Sequence, residues 1–144
     1  MLREPFIRPL PAGKVWPHNT ALLVIDMERD FVEEGAVQET PGGRALVSTI
    51  NRITGKRRYD AFLGTDLDLL LRSKKVENLV CCGVTTHVCV MNTVFTARNL
   101  DYRVLLLRDA VAAVSPDHQA AALLCMSDVF AYITTSTEVR SLWV

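Results

Sequence analysis

No sign of charge dominates this chain: sixteen Lys and Arg residues face sixteen Asp and Glu residues across 144 positions. With no net charge and no long basic run, a nucleic-acid or anionic-membrane partner has no electrostatic footing. The short run Lys56, Arg57, Arg58 reads as a solvated turn or a local site. Long apolar stretches are missing too. Runs such as 21–25 and 104–107 are far too short to span a bilayer, and the N-terminus has no continuous apolar core of a signal peptide. A cytoplasmic location is therefore expected. Cysteine is sparse: of four residues two are adjacent, Cys81 and Cys82, which gives neither a disulfide framework nor a CxxC spacing. The histidines, His18, His87 and His118, are scattered without ligand spacing, and no glycine-rich phosphate or dinucleotide loop is present. No metal and no cofactor are expected. A phosphatase-like thiol loop is excluded as well, because Phe95 stands where that loop needs arginine.

What is present is a chain 49% hydrophobic and long enough to bury one core, read as a single domain over 1–144. Residues 1–20, with Pro5, Pro9, Pro11 and Pro17, have no periodicity and read as an extended arm. ALLVID at 21–26 is a continuous apolar run ending in an acid, the pattern of a strand buried on both faces of a parallel sheet. A helix is predicted over about 45–53, stopped at Gly55. A second is predicted after Thr65, which with Asp68 makes a capping-box-like pair. A strand over 78–83 follows, then a helix opening near Cys89 and running to about Leu100. A strand over 103–109, a helix from Pro116 capped by Ser115, and a last strand over 129–134 complete the pattern. Strands alternating with helices through short loops predict a doubly wound, mostly parallel α/β sheet with helices on both faces. Right-handed crossovers then set Asp26 and Cys89 along one edge, the carboxyl ends of the strands, where such sheets bind ligands.

Cys89 is the residue around which the chemistry is organised. A thiol beside the first turn of a helix meets unpaired N–H groups and the positive end of the helix dipole, which lower its pKa and offer donors to an oxyanion. Attack on a carbonyl further requires a base that takes the thiol proton and returns it to the leaving group. Asp26 suits that base, and Lys56 suits a cation that stabilises both carboxylate and thiolate. Taken singly, Asp26 also reads as a turn acid, Lys56 as a surface charge and Cys89 as core filler. His87 is an alternative base or lines the turn.

LLVIDMERDF (22–31), KRRYDAFLGTDLDLLLRS (56–73) and GVTTHVCVMNTVFTARNLDYRV (83–104) closely resemble the isochorismatase-like cysteine hydrolase family, which includes nicotinamidases and ureidoacrylate, biuret and N-carbamoylsarcosine amidohydrolases. The resemblance implies a Rossmann-like three-layer fold and an Asp26, Lys56, Cys89 triad that forms an acyl-enzyme at the thiol. It also implies a cis peptide at Val84–Thr85, with an oxyanion hole at the backbone N–H groups of Thr85 and Cys89. The substrate is then a small amide, ureido or carbamoyl compound, in a chamber to which Phe31, Tyr59, Phe62 and His87 are assigned. Family members are commonly oligomers, so a homo-oligomer is expected.

The sequence departs from the family between its first strand and Lys56, where typical members carry a longer segment with at least one further strand. One or two strands are thus expected to be missing, which makes ALLVID an edge strand. The segment lost is also where nicotinamidases place their metal-binding Asp and His residues. Beside the hydrolase stands a second reading, a catalytically inactive shortened member that serves binding or assembly. Whether Lys56 reaches the site separates the two.

Overall fold

The computed structural model describes residues 5–26 and 56–143. The helix predicted over 45–53, Gly55 and the pocket candidate Phe31 lie outside them. Four strands form one sheet: β1 (Thr20–Ile25), β2 (Asn78–Val84), β3 (Arg103–Ala112) and β4 (Tyr132–Thr134). All pairings are parallel and the strands stand in sequence order, so β1 and β4 are the two edges among the described residues.

Because each connection steps the same way across the sheet, right-handed crossovers put the intervening helices on one face. The core confirms it. Leu67 and Leu71 of α1 (Leu67–Ser73), Val94 and Ala97 of α2 (Met91–Asn99), and Ala122 and Met126 of α3 (Pro116–Val129) share one cluster with Leu23, Leu79, Cys81, Leu106 and Ile133. The alternate strand residues, Val80, Leu105 and Leu107, face the other way. There they meet Leu10 and Val15 of the N-terminal segment, and Val139 and Leu142 in and just after α4 (Ser136–Ser141). Apolar layers on both faces explain why β2 and β3 read as unbroken hydrophobic runs.

The N-terminal segment is tied down by polar contacts. The Asn78 side chain, fully buried, donates to the carbonyls of Lys14 (3.1 Å) and Asn19 (3.3 Å) and accepts from Arg103. Farther along, Arg8 donates to the Ala131 carbonyl at 2.7 Å and its guanidinium lies over the Tyr132 ring.

Several local expectations are corrected. Asp66 holds the cap position of α1 without a side-chain bond, and Thr65, one residue earlier, accepts from the Leu67 N–H at 3.3 Å while its hydroxyl donates to the Ala61 carbonyl at 2.6 Å. Asp68 forms no capping box, because Arg72 (2.9 Å) and Tyr102 (2.8 Å) hold its carboxylate. The third strand continues past Asp109 to Ala112, with a register shift against β2 between Cys81 and Gly83. The strand predicted over 129–134 starts only at Tyr132, since α3 runs on to Val129. Ser115 caps α3 with Pro116 in its first turn.

Candidate active site

Two of the carboxyl ends of the strands, those of β1 and β2, build the site together with the loop that carries Lys56. At the end of β1 Asp26 adopts a positive φ of 47°, a conformation that Asp tolerates better than most residues. Opposite it in register, Ile25 pairs with Gly83, whose φ is 118°. A Cβ on Gly83 would lie 2.7 Å from the Ile25 nitrogen, so only glycine lets β1 and β2 approach this closely here. The chain then passes through a cis peptide at Val84–Thr85.

Cys89 does not stand at the first residue of an α-helix. It sits in a π-helical turn, Thr86–Val90, that leads into α2, and the Thr85 carbonyl accepts from the N–H groups of Val88 (3.1 Å) and Val90 (3.2 Å). Wide turns of this kind often occur at functional sites. The thiol is nearly buried, 3% exposed.

Lys56 reaches Asp26. Its ammonium donates to Asp26 Oδ2 at 2.6 Å, with both side chains largely shielded from water. The two groups also act on the thiol in opposite directions. Burial, followed by the accepting and negatively charged Asp26 carboxylate, pushes Cys89 up to about 12, while Lys56 and the Thr85 backbone pull it down. The expected depressed thiol pKa is therefore overturned: desolvation and a neighbouring carboxylate outweigh the helix terminus. A resting thiol that keeps its proton next to a carboxylate needs that carboxylate as a base at the moment of attack.

The other candidates separate. Tyr59 is 66% exposed, whereas Phe62 is buried in the core with its ring 5.9 Å from that of Tyr102. His87, in the π-helical turn, meets His118 of α3 with ring centroids 4.5 Å apart, so these two are not scattered in space. Burial and His118 hold the His87 imidazole below its usual range, which keeps it neutral near pH 7. His118 Nδ1 lies 2.7 Å from the Ser115 hydroxyl. Among the described residues no three His, Cys, Asp or Glu side chains converge, and no helix is long and apolar enough to cross a membrane. A concavity of about 390 Å³ at the far edge of the sheet, lined by Arg8, Ile133 and Glu138 among others, contains none of the three triad candidates.

Asp60, in the loop that carries Lys56, has no role in the sequence reading. Asp60 in that loop accepts from the Phe62 N–H at 2.8 Å and from the Thr96 hydroxyl of α2 at 2.6 Å. Ala61 N–H donates to the Thr93 hydroxyl at 3.1 Å. The legible signal was spacing: Thr93 and Thr96 follow Cys89 by four and seven residues, one face of a helix.

A parallel sheet that brings an acid and a lysine into contact at its carboxyl edge, beside a buried cysteine, defines the class: a three-layer α/β fold with a candidate thiol site there. The isochorismatase domain model matches residues 52–138, and the chain belongs to the isochorismatase family. Among its relatives, a probable inactive nicotinamidase of Arabidopsis thaliana is 29% identical over 175 aligned residues, covering 77% of this chain and 89% of the relative. That aligned length exceeds the 144 residues of this chain, so the relative carries segments that this chain lacks. The ureidoacrylate amidohydrolase RutB of Azorhizobium caulinodans is 34% identical, over 61% of this chain and 39% of its own length. The chain thus spans about two fifths of that amidohydrolase. A solved isochorismatase-like hydrolase of Alkaliphilus metalliredigens superposes with a TM-score of 0.78 at 25% identity, covering 88% of this chain and 97% of that one.

Proposed function

We propose that the chain is a cofactor-independent cysteine amidohydrolase that cleaves the C–N bond of a small amide, ureido or carbamoyl compound. The observation that carries this reading is the 2.6 Å Lys56–Asp26 contact beside a buried, protonated Cys89. Asp26 takes the Sγ proton as Sγ bonds to the substrate carbonyl carbon, and Lys56 holds the carboxylate in place. The oxyanion is received by the backbone N–H groups of Thr85 and Cys89. As the tetrahedral species collapses the C–N bond breaks, and the proton on Asp26 goes to the departing nitrogen. Water then attacks the thioester, gives a proton to Asp26, and the acid leaves as that proton returns to sulfur. His87 is assigned to the rim of the chamber.

The substrate is a small molecule. We propose further that the chain is a single domain that works in the cytoplasm as a homo-oligomer. The edge of β1, which has a strand neighbour on one side only among the described residues, supports the oligomer.

Ammonia release from nicotinamide, ureidoacrylate and simple carbamoyl compounds, together with intact-mass trapping of an acyl adduct, tests the activity. Turnover or an adduct lost in Cys89→Ser supports it. If no compound in the panel yields ammonia or an adduct, while Cys89 alkylation ignores both Asp26→Asn and Lys56→Ala, the hydrolase reading fails. The second reading, an inactive member used for binding or assembly, is favoured by one observation. The Arabidopsis relative whose length is nearly all covered is named as probably inactive.

A further inference from the structure

Lys56 carries a flexible four-carbon stem, and an ammonium on such a stem holds a fixed place only if its backbone is held first. On its C-terminal side the backbone is held within four residues. Asp60 is bound through both carboxylate oxygens, one to the Phe62 N–H of its own loop and one to Thr96 of α2. The adjacent peptide donates to Thr93, a fully buried residue of the same helix. The Phe62 ring is anchored on Tyr102, and the Thr65 hydroxyl closes the loop onto the Ala61 carbonyl at 2.6 Å. The Asp60 and Ala61 bonds graft the loop onto the helix whose preceding turn carries Cys89, at Thr93 and Thr96, four and seven residues after it. One rigid element therefore fixes both the nucleophile and the loop that delivers the cation. In a chain whose longer relatives carry additional residues, such a graft supplies a placement that no neighbouring strand among the described residues supplies.

We infer that Asp60 is a positioning residue: through Thr96, beside the Ala61 N–H bond to Thr93, it locks the Lys56 loop to the Cys89 helix and so sets where the ammonium stands relative to Asp26 and the thiol. It touches neither substrate nor the reacting atoms, and the inference rests on the triad reading above.

The test is the pH dependence of Cys89 alkylation by iodoacetamide, with the labelled residue located by mass spectrometry, in the full chain. Lys56→Ala is the reference, since removing the cation raises the thiol pKa and slows labelling. Thr96→Val, which keeps the shape and loses the hydroxyl, is expected to move the profile in the same direction, about threefold to tenfold slower at fixed pH. Thr96→Ser restores the donor and should restore the profile. Asp60→Asn, which keeps one acceptor, should fall between wild type and Thr96→Val. Tyr102→Phe removes a hydroxyl from Asp68 elsewhere on the same loop-to-helix packing and serves as the control for general loosening. It should change thermal stability and leave the profile in place. A shift in Lys56→Ala with none in Thr96→Val or Asp60→Asn overturns the positioning role alone. So does an equal shift in Tyr102→Phe, or a failure of Thr96→Ser to recover. No shift in Lys56→Ala itself overturns the triad reading on which it stands.

Discussion

Lys56 Nζ and Asp26 Oδ2 meet at 2.6 Å, across thirty residues of sequence, at the end of the edge strand β1. The contact joins the first strand to a loop gripped by α2, and it sets opposite fields on the same thiol. Asp26 raises the Cys89 pKa and Lys56 lowers it. Replacing Asp26 by Asn removes the carboxylate's effect and frees Lys56 to face sulfur, so the thiolate becomes more available while the base is lost. Asp26→Asn is expected to speed iodoacetamide labelling of Cys89 by about tenfold at pH 8, one pKa unit, and to abolish amide turnover. Lys56→Ala is expected to slow labelling and turnover together. An Asp26→Asn enzyme labelled more slowly than wild type would contradict this arrangement.

At Gly83 the backbone of β1 lies where a side chain would stand. Alanine there must adopt φ near 118° with its Cβ 2.7 Å from the Ile25 nitrogen, and Ile25 is backbone that cannot swing aside. Strain and overpacking each cost about 1–3 kcal/mol. Gly83→Ala is expected to lose on the order of 3 kcal/mol in urea unfolding and to displace Asp26, whose backbone follows Ile25. Gly64, with open space around its Cβ position, is the contrast: only its φ of 71° opposes a side chain. Gly64→Ala should cost about 1 kcal/mol.

Much of the fold was legible because strands buried on both faces write continuous apolar runs, as NLVCCGV of β2 and residues 104–107 of β3 do; β1, read from the same pattern, buries one face only, with Leu22 59% exposed on the other. Ser115–Pro116 announced the start of α3 through chemistry that acts locally. The predicted start of the last strand fell inside that helix because Val129 and Phe130 suit a strand as well as a helix, while the Phe130 and Ala131 N–H groups close onto the Met126 carbonyl at 3.2 and 2.9 Å. Helix α4 was missed although Thr135 and Glu138 form a capping box. Its six residues carry almost no periodicity, and the T-x-x-E signal was the one sign available. In the site, residue types and order pointed to Asp26, Lys56 and Cys89. The sign of the thiol shift was not legible, because desolvation depends on what folds over sulfur, and sequence spacing does not report that. The nearness of His87 to His118 was hidden for a similar reason, since the two come from different elements.

Asn78 is a buried amide whose every partner lies in another element. Removing it in Asn78→Ala takes away the Arg103 guanidinium's buried acceptor and one donor each from the Lys14 and Asn19 carbonyls, which keep the Asn19 Nδ2 and Glu77 N–H donors. An unmet buried donor or acceptor costs about 1–3 kcal/mol, more beside a charge. Asn78→Ala is expected to lose about 2–3 kcal/mol of stability. Amide exchange should rise selectively over residues 14–19, whose attachment to β2 the side chain supplies. Uniform exchange across the sheet with that segment unchanged would show that the amide does not hold it.

The last helix carries its own acid sensor. The Glu138 carboxyl accepts from the Thr134 hydroxyl (2.9 Å), the Thr135 hydroxyl (3.0 Å) and the Thr135 N–H (2.8 Å), and these bonds, that to the Thr134 hydroxyl first, hold it below its ordinary 4.5. A carboxyl depressed in the folded state stabilises that state above its unfolded pKa, and the contribution disappears as pH falls through the folded value. The anchorage of α4, and with it the cover that Val139 and Leu142 give to β2 and β3, should therefore weaken as pH drops below about 4.5 and stay constant between pH 6 and 8. Thr135→Ala removes the hydroxyl that accepts from the Glu138 N–H and donates to its carboxylate, leaves the backbone N–H of residue 135 on that carboxylate, and should cost about 1 kcal/mol near neutral pH. Because it also takes away one of the groups that depress Glu138, it should flatten the acid limb of the stability profile. Thermal unfolding from pH 3 to pH 8 for wild type and Thr135→Ala checks both: two curves parallel at every pH would mean that Glu138 titrates the same in folded and unfolded chains.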